Sequence, residues 1–243
     1  MKKFVLIVLG LFIAYFSYSQ ENEGEIVVSK TQDLKEVLSS ETQYLFDEFV
    51  DGVVYYTSGK GSKGKMNYNL LLNEIHFISP DEEVLAISDP NTINFVVLSN
   101  KIFIYNSRYK YMEVLFNGDV KLLLHRKLIV KEKQDEFKGA YGESSSSANV
   151  KYVDRLNLGG GYIDDLSEVN KNVHGEILYQ EQFFVQDPRK RVYLISTLKP
   201  FVKIIGKKNK EKLNDFIDTN DINIENPKDL YDLSQWLNSE IKK

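Results

Sequence analysis

Residues 57–69 read TSGKGSKGKMNYN, and the reading of this stretch decides the fold class. Gly59, Gly61 and Gly64 have the spacing G-x-G-x-x-G of a dinucleotide-binding turn, and Gly59 to Lys65 fits all but the last letter of a P-loop. A phosphate cradle works because glycine N–H groups and the N-terminus of the helix they open point at the anion. Here Met66, Tyr68 and Leu70 alternate with Lys65, Asn67 and Asn69, which is the period of a strand, and the asparagines are poor helix formers. Met66 also stands where a P-loop needs Ser or Thr for magnesium. The stretch therefore reads as a Gly/Lys-rich hairpin tip joining GVVYYTS to GKMNYNL, with no nucleotide as partner and no cofactor.

The surrounding sequence repeats that texture. From Val53 to about Val130, short apolar or alternating runs are separated by turn residues, as in consecutive antiparallel strands. In YMEVLFNGDVKLLLHRKLIV, Asn117-Gly118 can take the two positive φ angles of a type I′ turn between Tyr111–Phe116 and Val120–Val130. INFVVLSNKIFIYN reads as a hairpin turning at Ser99-Asn100, and Pro80-Asp81 as the turn between NEIHFIS and EVLAIS. Together these segments predict a meander. GEILYQEQFFV and RKRVYLIS supply two further strands around the Pro-containing turn QDPRK.

Two segments break the pattern. Near residues 134–172, GAYGESSSSANV and LNLGGGYIDD are rich in Gly, Ser and Asp, too polar to offset the entropy of ordering, and are expected to form a flexible loop. The last fifty residues switch to helical spacing. Asn226 can cap, Pro227 suits the first helical position, and Asp229 lies in the first turn. Leu230, Leu233, Leu237 and Ile241 then make one apolar stripe. An earlier helix is expected over Lys210–Thr219, with Leu213, Phe216 and Ile217 inward, and a short one through Phe201 and Ile204, stopped by Gly206. The fold expected is mainly β (α+β): an antiparallel β-meander forming a barrel-like or strongly twisted sheet, with a small helical C-terminal portion. Its divisions are a signal peptide at 1–20, a β-rich domain at 21–196 and a helical portion at 197–243.

Composition sets limits. The 243 residues, 42% of them hydrophobic, suffice for a proper core. MKKFVLIVLGLFIAYFSYSQ has the lysine start, apolar run and small-residue end of an export signal, with cleavage expected near Ser19 or Gln20. The apolar run is shorter than the roughly 20 residues of a spanning helix, and no transmembrane span is expected once it is removed. Loss of Lys2 and Lys3 takes the formal charge from −4 to −6. An acidic balance argues against nucleic acid as a partner, because no excess of cations is available to release counterions. With no cysteine in the chain, disulfides, thiol catalysis and thiolate metal sites are excluded.

No catalytic residue can be named from this sequence. His76, His125 and His174 belong to no H-x-x-x-H or H-E-x-x-H spacing, so no metal site is expected. The serine run Ser144–Ser147 lacks a G-x-S-x-G elbow. Asp164-Asp165, or Glu181 with Asp187, could form a carboxylate site, but the chain has 35 acids and nothing selects among them. Tyr55, Tyr56, Tyr68, Tyr105, Tyr109 and Tyr111 could present an aromatic platform, although packing in strands is the ordinary use of such residues.

The ending SYSQ, the segment DGVVYYTSGKGSKGKMNYNLLLNEIHFIS and the tail LKPFVKIIGKKNKEKLNDFIDTNDINIENPKDLYDLSQWLN together resemble uncharacterised exported β-rich proteins of Bacteroidota. The resemblance covers most of the mature chain and is one of texture, without a catalytic signature. It implies an exported protein, periplasmic, outer-membrane-associated or extracellular. The function expected is that of a non-enzymatic binding or structural module whose partner is an envelope protein or a glycan. Two alternatives stand beside it: a carboxylate-dependent hydrolase of polysaccharide or peptide, and a subunit of an envelope assembly.

Overall fold

Among the described residues, alternation of side chains along short segments, with turn residues between them, produces eleven strands in one antiparallel sheet. The computed structural model describes residues 25–27, 40–132 and 174–242. The expected signal peptide, the Gly/Ser-rich loop with Ser144–Ser147, and Asp164-Asp165 lie outside the described residues. In chain order the strands are β1 (Glu25–Val27), β2 (Val50–Tyr56), β3 (Gly61–Asn69), β4 (Glu74–Ile78), β5 (Val84–Ala86), β6 (Ile93–Leu98), β7 (Lys101–Asn106), β8 (Lys110–Asn117), β9 (Lys121–Glu132), β10 (His174–Gln186) and β11 (Val192–Leu194). A one-turn helix, α1 (Ser40–Gln43), precedes β2.

The expected single meander is corrected to two. Strands β2 to β5 pair in succession, and β6 then returns to the free side of β2 before the second meander runs from β6 to β10. Pro90 opens the 3-10 turn that redirects the chain, and Thr57 N donates to Thr92 O at 2.8 Å where the meanders meet. Period-2 alternation reports which face a residue takes but not which strand lies beside it. The barrel-like expectation is also corrected. The sheet curls until Leu128 N on β9 donates to Leu70 O just past β3. That one bond stands where a barrel needs a continuous ladder, while β4 and β5 on one side, and β10 and β11 on the other, continue past it. The sheet is open.

The turns carry a further correction. Ser99, at φ 52°, makes the two-residue turn between β6 and β7, as its sequence suggests. Asn117-Gly118 is not a type I′ turn, because neither residue has positive φ. Asn117 pairs with Lys121 across a longer loop, which is stitched to the tail: Asn238 Oδ1 accepts from Asp119 N at 2.7 Å and Val120 N at 3.2 Å. Glycine is required at 118 for space, since a Cβ there would lie 2.5 Å from Asn238 Oδ1 and 2.9 Å from Phe116 Cε1. Gly118→Val should therefore cost about 1–3 kcal/mol through overpacking, and Asn238→Gly should relieve much of it. Urea melts of both variants check this; an additive double variant would contradict the steric origin.

The helical end follows its sequence closely. It comprises α2 (Lys199–Ile205), stopped by Gly206 at φ 86°, α3 (Lys210–Asn220) and α4 (Pro227–Glu240), whose cap Asn226 accepts from Lys228 N. Leu230, Leu233 and Leu237 of α4 are fully buried with Phe201 and Leu213 against Val120, Leu122 and Val185 of the sheet. A second core fills the curl of β2–β4 and β6–β9, around Tyr68, Ile75, Val96, Leu98 and Phe103. Among the described residues no helix is long and apolar enough to cross a membrane.

Candidate functional site

The residues that first attract a functional reading are consumed by the fold. Gly59–Lys65 lies in the β2–β3 hairpin with Gly59 at φ 82°, and a strand, not a helix, follows it. Lys65 makes an exposed ion pair with Asp51 at 3.0 Å. Pairing with β4 begins only at Met66, so Lys63 and Lys65 flank an outer edge of β3, where charge discourages strand addition. The NYN that follows is a staple. Asn67 donates to Phe46 O and Glu48 O and accepts from Phe46 N, Asn69 Oδ1 accepts from Leu71 N and Leu72 N, and the Tyr68 hydroxyl donates to Arg126 O at 2.9 Å.

Two charged networks close the curl. At its start the Tyr44 hydroxyl hydrogen-bonds His76 Nδ1 at 2.8 Å, and Glu74 lies between His76 and Lys110. The hydrogen bond from His76, assisted by Lys110, holds the Glu74 carboxyl below its usual range. At its centre Glu113 accepts from Lys101 Nζ at 2.8 Å and from Arg126, whose Nε donates to Glu181 Oε1 at 2.9 Å. Burial works against the Arg126 charge, and Glu113, Tyr179 and Glu181 together more than offset it.

The histidines separate by environment. The His174 backbone opens β10. His125 is buried on the opposite face of the sheet beside Tyr109 and Phe184. Burial, aided by the Lys127 charge and opposed by Gln182, pushes its pKa down to about 4. The unfolded chain then takes up this proton first. Stability from His125 is complete above the ordinary value near 6.5 and declines as pH falls toward 4, by an amount on the order of 3 kcal/mol. Urea midpoints measured from pH 7 to pH 4 should show this slope, and His125→Leu should flatten it. An unchanged slope in the variant would contradict the assignment. Among the described residues no group of three or more His, Cys, Asp or Glu is placed to hold a metal ion.

The tyrosines mostly pack. Tyr68 stacks on Phe103, Tyr105 meets Tyr111 edge-on, and Tyr109 lies 4.5 Å from Phe184, while Tyr55 remains exposed against Phe95.

The surface with chemistry left over is one the sequence reading missed. Residues 189–212 contain nine Lys and Arg and a single acid, Glu211, and all nine cations are exposed. A net charge of −4 conceals them because residues 213–232 carry six acids and one lysine. The run itself was the available signal. Its organiser is Asp187, buried at the β10–β11 turn. Asp187 Oδ1 accepts from Arg189 N and Arg191 N at 2.9 Å, and Oδ2 accepts from Arg191 Nε at 2.7 Å. Burial opposes ionisation, but the bonds from Arg191 and Arg189 win and hold the carboxyl below its usual range. Arg191 is correspondingly held charged, chiefly by its hydrogen bond to Asp187. Tyr193 lies under two cations, Lys203 Nζ at 4.5 Å and the Arg191 guanidinium at 6.0 Å from the ring centroid. Lys121 Nζ is held apart by Asn117 Oδ1 and Gly118 O; burial lowers its pKa, with Asp119 opposing and the Lys190 charge adding to the effect. The turn therefore presents Arg189, Lys190 and Arg191 beside Lys203 on a fixed backbone, an arrangement suited to anions.

No protein-family model matches the chain, and comparison with curated proteins and with solved structures finds no significant similarity.

Proposed function

We propose that this chain is an exported, non-enzymatic binding module of the cell envelope or secreted fraction, and that it docks an anionic partner through Arg189, Lys190, Arg191 and Lys203. The observation that carries this reading is the Asp187-organised turn beside Tyr193, where Arg189, Lys190 and Lys203 remain exposed while Arg191, although exposed, is held by Asp187. Export rests on the N-terminal signal pattern and on the resemblance to exported Bacteroidota proteins. The hydrolase alternative has weaker support. Hydrolysis by paired carboxylates needs one acid held protonated, whereas Glu113 and Glu181 are bonded to Arg126, and the carboxyls of Glu74 and Asp187 are shifted down.

Retention of the purified protein on its native envelope fraction tests the reading. The wild type should bind at low ionic strength and elute by about 1 M salt, where the Debye length falls to roughly 3 Å. Lys190→Glu with Lys203→Glu should elute unbound at an unchanged melting temperature. Equal retention of both proteins would contradict the proposal.

A further inference from the structure

We infer that the anionic partner is the headgroup face of a phospholipid bilayer; this rests on the reading above and adds the chemistry of the ligand. The cations run along the chain from Arg189 to Lys210 and are not confined to one turn. Lys199 and Lys203 lie one turn apart on α2, about 6 Å between Cβ atoms, Lys207 and Lys208 follow in a 3-10 turn, and Lys210 opens α3. Arg191, fixed by Asp187, meets this series across the Tyr193 ring. A spread series of charges suits many phosphates side by side.

The apolar side of the same helix limits the mode of contact. Phe201 and Ile205 are buried against Leu213, Leu230 and Leu233, so α2 has no free apolar face to insert. Contact is then electrostatic, reversible and salt-labile. Asp215, Asp218 and Asp221 of the next segment are exposed and would be repelled by the same surface.

Cosedimentation of the full mature chain with vesicles of phosphatidylcholine, and of phosphatidylcholine with about one-third phosphatidylglycerol, tests the inference, with retention on dextran sulfate in parallel. Binding only to the anionic vesicles is expected. Lys199→Ala with Lys203→Ala should weaken it about twenty-five-fold, at about fivefold per lysine. Lys60→Ala with Lys63→Ala, on the distant hairpin, should leave it unchanged. Binding to dextran sulfate but not to vesicles would overturn the lipid assignment and leave the anionic surface standing. Binding to neither would overturn both. Equal binding to neutral vesicles, or equal loss in the hairpin variant, would also overturn the inference.

Discussion

Glu113→Ala is expected to lower the unfolding free energy by about 3–5 kcal/mol, because it leaves a mostly buried guanidinium without the more buried of its two carboxylate partners. Glu113 is 6% exposed and is held by Lys101 and Arg126. After truncation, Arg126 keeps the half-open Glu181 as its carboxylate partner and loses the largest contribution that opposed its burial. The stabilising element is the completed network, not the single charge. Replacing Glu113 and Arg126 together by leucine should therefore recover much of the loss, since an apolar pair of similar volume removes the stranded charge. Urea denaturation of the three proteins measures this directly. A loss below about 1 kcal/mol for Glu113→Ala would show that the pair behaves like a surface ion pair.

Leu233→Ala should cost about 2–5 kcal/mol as a core truncation. Leu233 is fully buried on α4, packed with Phe201, Leu213, Leu230 and Leu237 over Val120, Leu122 and Val185. A fourteen-residue helix is marginal alone in water, so α4 persists through this face. The same core seats α2, which carries Lys199 and Lys203. The variant should thus lose anion binding near its lowered melting temperature, while remaining competent well below it. A melting temperature within a degree or two of wild type would contradict the packed tail.

What could be read from the sequence depended on whether the signal was local. The hairpin at 57–69 was legible because Lys65–Leu70 alternate, and alternation excludes the helix a phosphate cradle needs. The helices were legible from Asn226, Pro227, Gly206 and the leucine stripe. Adjacency of β2 and β6 was not legible, since the free side of a strand leaves no mark on its own residues. Gly118 was misread because its constraint is Asn238, far along the chain, and not its own φ. The Glu113–Arg126–Glu181 network depends on long-range register: Glu113 pairs with Leu124, and Arg126 with Glu181. The basic surface was present in the sequence as a run, but averaging charge over the whole chain concealed it.

The most direct test of the central claim is amide hydrogen exchange with and without dextran sulfate. Slower exchange is predicted across residues 187–212, centred on the Asp187–Arg191 turn and α2, with β2 to β7 unchanged. Protection centred on the curl around Tyr105 and Tyr111, with residues 187–212 unaffected, would contradict the account.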